Sequence, residues 1–141
     1  VVANRGESFV PSLVNRVNDL PVSGVRRPAL HAAPENWAAV IAGMMDVVHS
    51  SRGTAARIGR DLSYTIAAKT GTSQVIGIAQ DEVYDEEAIA ERHRNHGWFV
   101  AFAPVDKPEI VVVVLAENGG GSSAAYPVAR AVMDAWFGVA S

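Results

Sequence analysis

Ala67-Ala68-Lys69-Thr70-Gly71-Thr72-Ser73-Gln74-Val75 is the stretch on which the fold of this chain turns. It continues an apolar run, Tyr64-Thr65-Ile66, and Tyr64 to Val75 reads as a β-strand whose polar end begins at Lys69. Strict alternation along a strand puts Thr70 and Thr72 on one face, with Lys69 and Gly71 on the other. Two hydroxyls converging beside an ammonium suit recognition of a carboxylate, and a backbone N–H of the same strand is suited to an oxyanion. Gly71 removes a side chain where another backbone or a nucleophile has to come close. The plainer reading of the triplet alone is a surface lysine followed by a bulge. Because alternation aims Lys69 away from the threonines, either its long stem curls round the strand edge or strand twist redirects it.

A phosphate-binding loop also ends in Gly-Lys-Thr, but it needs glycine immediately before the lysine and again five residues earlier. Those positions hold Ala68 and Ser63, so that reading fails. Gly119-Gly120-Gly121 lacks the Gly-x-Gly-x-x-Gly spacing of a dinucleotide site and reads as a turn. His93 and His96, at i and i+3, would share a helical face, but no third metal ligand stands at a suitable spacing. His31 and His49 read as surface or boundary residues.

Around the strand, Pro34 opens an amphipathic helix in which Trp37, Val40, Ile41, Met44, Val47 and Val48 recur at helical spacing, with an end near Gly53. Before it, Phe9 to Val14 with Arg16-Val17 reads as a short extended stretch, and Pro21 to Pro28 as a connector. Residues 76–97 form a long polar loop whose acid cluster, Asp81, Glu82, Asp85, Glu86, Glu87 and Glu91, reads as a solvated face. Trp98 to Ala103 and Ile110 to Leu115 are two apolar strands in a hairpin, and the second, apolar on both faces, is expected to be central and covered. Ser122 or Ser123 is placed to cap a last helix with a stripe of Tyr126, Ala129, Val132, Met133 and Trp136. Trp37, Trp98 and Trp136 all fall on predicted core faces. The class is α/β (α+β), an antiparallel sheet packed between helices.

With 141 residues, 49% of them hydrophobic, the chain has material for one ordinary core. Its net charge of −3 provides no basic stripe for nucleic acid, and no run approaches the ~18 apolar residues of a membrane span. Zero cysteines exclude disulfides and thiolate metal sites. The first residues, Val1 to Gly6, carry neither an initiator Met nor a signal-peptide pattern, and read as a helix tail stopped by Gly6. The chain is therefore expected to begin mid-protein.

The Ala67–Val75 segment, then Ile89-Ala90-Glu91-Arg92, then Trp98-Phe99-Val100-Ala101-Phe102-Ala103-Pro104, then Glu117-Asn118-Gly119-Gly120, resembles in order and spacing the C-terminal part of class B penicillin-binding proteins. Lys-Thr-Gly at a strand end is one of three signatures of the serine enzymes of that kind, with Ser-x-x-Lys and Ser-x-Asn. The chain's two lysines, Lys69 and Lys107, follow Ile66 and Pro104 by three, and no serine has Asn two positions later, so the other two signatures are missing. The Ile-Ala-Glu-Arg loop and the early Val-Val-Ala-Asn-Arg-Gly look most like the elongation-type branch, the penicillin-binding-protein-2-like D,D-transpeptidases. β-Lactamases usually join this strand to its neighbour by a tight turn, which the 76–97 loop contradicts.

The resemblance implies a partial β-lactamase/transpeptidase-like fold, with residues 1–141 as the incomplete C-terminal part of a transpeptidase domain. It implies an acyl-serine enzyme that cross-links peptidoglycan stem peptides and is a target of β-lactam antibiotics, needing no cofactor. Its expected partners are the rest of its own domain and the glycosyltransferase of the elongation complex. Its expected place is the periplasmic face of the bacterial inner membrane, with the anchor outside this chain. Carried over by motif, Lys69 holds the hydroxyl of the missing Ser-x-Asn serine and biases the site positive. Thr70 and Thr72, beside Gly71, bind the substrate carboxylate, and the Thr72 N–H is half of the oxyanion hole. The rival reading is a non-catalytic β-lactam-sensing or interaction module of the same fold.

Overall fold

A computed structural model describes residues 1–77, 85 and 89–139. The chain divides into two compact units, Val1–Val40 and Ile41–Ser141. Helix α1, Pro34–His49, runs from the first into the second.

In the first unit, residues 1–6 close as a helix end does: with Arg5 left-handed at φ 46°, the Arg5 N–H donates to the Val2 carbonyl and the Gly6 N–H to the Val1 carbonyl, both at 3.0 Å, the Schellman pair of bonds. Gly6, at φ 108°, is required there: a Cβ would lie 2.1 Å from the Leu30 carbonyl oxygen. Phe9 bridges Arg26 in antiparallel fashion. Strands β1, Arg16–Val17, and β2, Leu20–Pro21, form a short hairpin. Its two turn residues, Asn18 and Asp19, sit at φ 49° and 63°. That left-handed pair is the twist-matched turn of a two-residue hairpin, and Asn and Asp are the non-glycine residues that tolerate it best.

The second unit is an antiparallel sheet of β3, Ala67–Ser73, β4, His96–Ala103, and β5, Ile110–Ala116, in the order β3-β4-β5. Helix α2, Tyr126–Phe137, follows. One sheet face, with Ala68, Phe99, Ala101 and Val112, packs with Tyr126, Ala129 and Met133 of α2 and with Val48, Ile58 and Ile66 into the buried core. The class is as expected, helices with an antiparallel sheet. The long α1 stripe contributes less than its periodicity promised: only Ile41 and Val48 are buried, Val40 is exposed, and the helix stops at His49.

Strand β5, expected to be central once further strands of the domain are added, has β4 as its one strand neighbour among the described residues. Val111, Val113 and Leu115 on its outer face are 58%, 60% and 47% exposed. Ser122 and Ser123 do not cap α2; they lie in a 3-10 turn, Ser122–Ala124, and the N-cap is Ala125, which makes no side-chain cap bond. The α2 stripe is rotated, since Val132 and Trp136 are exposed while Phe137 packs on Tyr64 with ring centroids 4.5 Å apart. Trp98 is also substantially exposed, because it lies on the sheet face shared with Val100, Val113 and Leu115, which are exposed as well. Helix α2 ends at Gly138 in the left-handed conformation, with Val139 N–H returning to the Asp134 carbonyl at 2.9 Å, a Schellman closure.

Candidate active site

Strand β3 changes character halfway along. Ile66, Ala67 and Ala68 are fully buried, and from Lys69 the strand emerges toward solvent. Its start is fixed by the Ile66 N–H donating to His49 Nε2 at 3.1 Å, so His49 is an acceptor tying the end of α1 to this strand. From there the register with β4 sets every site residue: Lys69 faces Val100, Thr70 faces Phe99, Gly71 faces Trp98 and Thr72 faces Gly97. Thr70 and Thr72 accordingly share the face of Phe99, as alternation requires, while Lys69 and Gly71 share the opposite face.

Lys69 resolves its alternatives by curling: its Nζ donates to the backbone carbonyl of Thr70 at 2.5 Å. Its charge thereby lies along the strand at the Thr70 carbonyl. The Thr70 hydroxyl is engaged with the Thr54 hydroxyl at 2.9 Å. Thr72 is exposed, and its hydroxyl has no hydrogen-bond partner among the described residues. Gly71 is a spacing device, since a Cβ there would lie 3.3 Å from Trp98 Cβ.

The wall beside Thr72 is built from a second close approach. A Cβ on Gly97 would lie 2.0 Å from the Gly121 carbonyl oxygen, so only glycine lets the 117–121 loop descend onto β4 here. That loop is held down by the Asn118 N–H on His96 Nδ1 at 2.9 Å, by Asn118 Nδ2 on the Arg94 carbonyl at 3.1 Å, and by the Gly120 N–H on the Asn95 carbonyl at 2.9 Å. Asn118 and Gly120 have φ of 54° and 76°, which makes Gly119–Gly121 the turn expected of it. His96 uses Nδ1 as an acceptor at the start of β4, and His93 lies in a 3-10 turn, Glu91–His93. The two histidines thus share no helix, and among the described residues no group of three His, Cys, Asp or Glu could hold a metal. Asp81, Glu82, Glu86 and Glu87 of the acid cluster lie outside the described residues.

A further cluster stands where sequence reading marked only apolar positions. Arg130 Nε donates to Asp134 Oδ2 at 2.6 Å, Tyr64 Oη donates to Asp134 Oδ1 at 2.7 Å, and an Arg130 guanidinium nitrogen donates to the Ile58 and Arg60 carbonyls at 2.7 and 3.0 Å. Burial, then the neighbouring Asp134 carboxylate, pushes the Tyr64 phenol well above its ordinary range. The network binds α2 to the segment leading into β3. Its one sequence signal was the i, i+4 spacing of Arg130 and Asp134.

The chain belongs to the penicillin-binding protein transpeptidase domain family: the family's model, "Penicillin binding protein transpeptidase domain", matches residues 1–134. Within that class it is similar to two proteins called peptidoglycan D,D-transpeptidase MrdA. The Haemophilus influenzae protein is 35% identical over 95% of this chain and 22% of its own length. The Acinetobacter baumannii protein is 38% identical over 96% and 20%. This chain therefore spans about a fifth of the length of these curated relatives. The crystal structure of Pseudomonas aeruginosa PBP2 in complex with WCK 5153 superposes with a TM-score of 0.75 at 38% identity, covering 96% of this chain and 28% of that one.

Proposed function

We propose that residues 1–141 are the C-terminal part of the transpeptidase domain of a peptidoglycan D,D-transpeptidase of the elongation type, and that β3 is its substrate-binding strand. The observation that carries this reading is the emergence of Lys69-Thr70-Gly71-Thr72 from a buried strand root with Lys69 folded along the strand and the Thr72 hydroxyl uncommitted. The exposed outer face of β5 and its edge, unpaired among the described residues, support it, since they fit a sheet that continues into strands and helices supplied by the rest of the domain.

In this mechanism a serine outside residues 1–141, activated by the lysine three positions after it, attacks the carbonyl carbon of the penultimate D-Ala. The terminal D-Ala leaves as its amine, and the resulting acyl-serine is resolved by an amine of a neighbouring stem peptide, which restores the serine hydroxyl. Lys69 supplies positive charge to the site and holds the hydroxyl of the Ser-x-Asn serine. Thr70 and Thr72 donate to the terminal carboxylate, a charge-assisted contact. The Thr72 N–H is one donor to the oxyanion, and a preorganised donor of that kind contributes a large share of the barrier reduction. Gly71 keeps the strand surface clear of side chain.

The cellular setting that goes with this reading is the periplasmic face of the inner membrane. There stem peptides are the substrate, β-lactams are competing acylating agents, and the elongation glycosyltransferase is a neighbour. No helix among the described residues is long and apolar enough to cross a membrane, so the anchor is assigned outside them. The test is release of D-Ala from a pentapeptide stem by the full-length protein, compared with its Lys69→Ala variant. Turnover that falls sharply in the variant supports the reading. Binding of a β-lactam without any D-Ala release would favour the sensing module instead.

A further inference from the structure

We propose that Thr54 is a positioning residue for the carboxylate site: its hydroxyl donates to Thr70 Oγ1 and leaves the Thr70 proton free for the substrate. This deepens the proposed function and rests on its reading of Thr70 as a carboxylate donor.

A threonine hydroxyl has one proton to give and can accept as well. In the 2.9 Å contact between Thr54 Oγ1 and Thr70 Oγ1 either oxygen can be the donor. If Thr70 donates to Thr54, it has nothing left for an anion. Once a carboxylate arrives, a hydrogen bond to a charged group outweighs a neutral one, so Thr70 turns its proton to the ligand and Thr54 becomes the donor behind it. The two bonds then polarise each other in series, from Thr54 through Thr70 to the carboxylate.

Thr54 owes its position to backbone. A Cβ on Gly53 would lie 2.3 Å from the Asp46 carbonyl oxygen and 2.4 Å from that of Val47, so the chain turns against the last turn of α1 only as glycine. The Gly53 N–H donates to the Ser50 carbonyl and the Ala55 N–H to the Val47 carbonyl, both at 2.9 Å, and Ala55 is fully buried. Thr54 itself is exposed between these anchors. Thr70 is held from two sides, by Thr54 at its hydroxyl and by Lys69 at its carbonyl. Thr72 has neither support, which makes the pair of hydroxyls unequal: Thr70 is preset and Thr72 adapts.

The experiment measures the second-order rate of acylation of the full-length protein by benzylpenicillin and by its methyl ester, for wild type, Thr54→Val and Thr54→Ser, each also in a Thr70→Val background. Thr54→Val should slow acylation by the acid about two- to tenfold, as expected for one ordinary hydrogen bond. It should leave the ester rate unchanged, Thr54→Ser should restore the acid rate, and Thr54→Val should add nothing once Thr70 is Val. A Thr54→Val rate equal to wild type, an equal loss for acid and ester, or a full additional loss in the Thr70→Val background overturns the inference. Lys69→Ala and Thr72→Val measured alongside separate the two levels. If they slow acylation while Thr54→Val does not, Thr54 alone is misassigned; if they too are without effect, the site reading falls with it.

Discussion

Replacing Gly97 by Ala is the smallest change that tests whether the loop of residues 117–121 is seated on β4 as described. The added Cβ would lie 2.0 Å from the Gly121 carbonyl oxygen, 2.5 Å from its carbon and 3.1 Å from the Ser122 nitrogen. All three are backbone atoms, so no rotamer change relieves the clash. The loop itself is fastened by Asn118 and Gly120 to His96, Arg94 and Asn95, so it has to break those bonds to retreat. Overpacking of this kind costs about 1–3 kcal/mol and at times more. That corresponds to a fall of at least a few degrees, roughly, in melting temperature. Because Gly97 faces Thr72 in the register, acylation by a penicillin should also slow. The control is the other side of the same contact: a Cβ on Gly121 meets nothing within 4 Å, and its extended backbone accepts any residue. Gly121→Ala should therefore be neutral, or stabilise by about 0.4–1 kcal/mol through the unfolded state. Thermal melting and penicillin acylation of both variants in the full-length protein decide it. Equal melting temperatures for Gly97→Ala and Gly121→Ala, with unchanged acylation, would refute the close approach.

Lys69→Ala in the full-length protein should slow acylation strongly, and Thr72→Val should weaken engagement of the carboxylate, each by about ten- to a hundredfold, read by stopped-flow acylation. Tyr64 adds an alkaline limb to stability. A phenol raised in the folded state stabilises fully below its unfolded value of about 10 and loses that contribution as pH rises toward the folded value. Melting temperature should fall more steeply above pH 10 in wild type than in Tyr64→Phe, and parallel curves would contradict the network. Arg130→Ala should destabilise by about 1–3 kcal/mol, measured by urea denaturation, because it strips a partner from Asp134 and from two carbonyls. Residues 1–141 expressed alone should aggregate or stay molten, with solubility restored by co-expression of the preceding part of the domain; a monomer with a cooperative melt and dispersed amide signals would count against the fragment assignment.

Much of the site was legible because it depends on local rules. The polar end of an apolar run located β3, alternation paired Thr70 with Thr72, and the two apolar runs around Pro104 and Pro108 located the hairpin. What local rules do not carry is contact between distant segments. The Thr54 to Thr70 bond, the His49 anchor on Ile66 and the Tyr64 to Asp134 bond join residues 16, 17 and 70 positions apart, and none has a periodic signature. The rotation of α2 has a similar origin, because Arg130 turns inward to its carbonyl partners and carries Trp136 out to solvent. The covered position expected for β5 was inferred from a strand apolar on both faces, a pattern that describes a whole sheet, while the described residues hold only three strands of one.

In the proposed mechanism this chain lends a substrate-binding strand to a nucleophile carried elsewhere in the same domain. Peptide mapping by mass spectrometry after incubating the full-length protein with a labelled penicillin tests it most directly, with residues 1–141 alone treated in parallel. One stoichiometric acyl adduct is expected on a serine outside residues 1–141, formed much more slowly when Lys69 is Ala, and no adduct on the isolated chain. A stoichiometric adduct on any serine within residues 1–141, or none on the full-length protein, would contradict it.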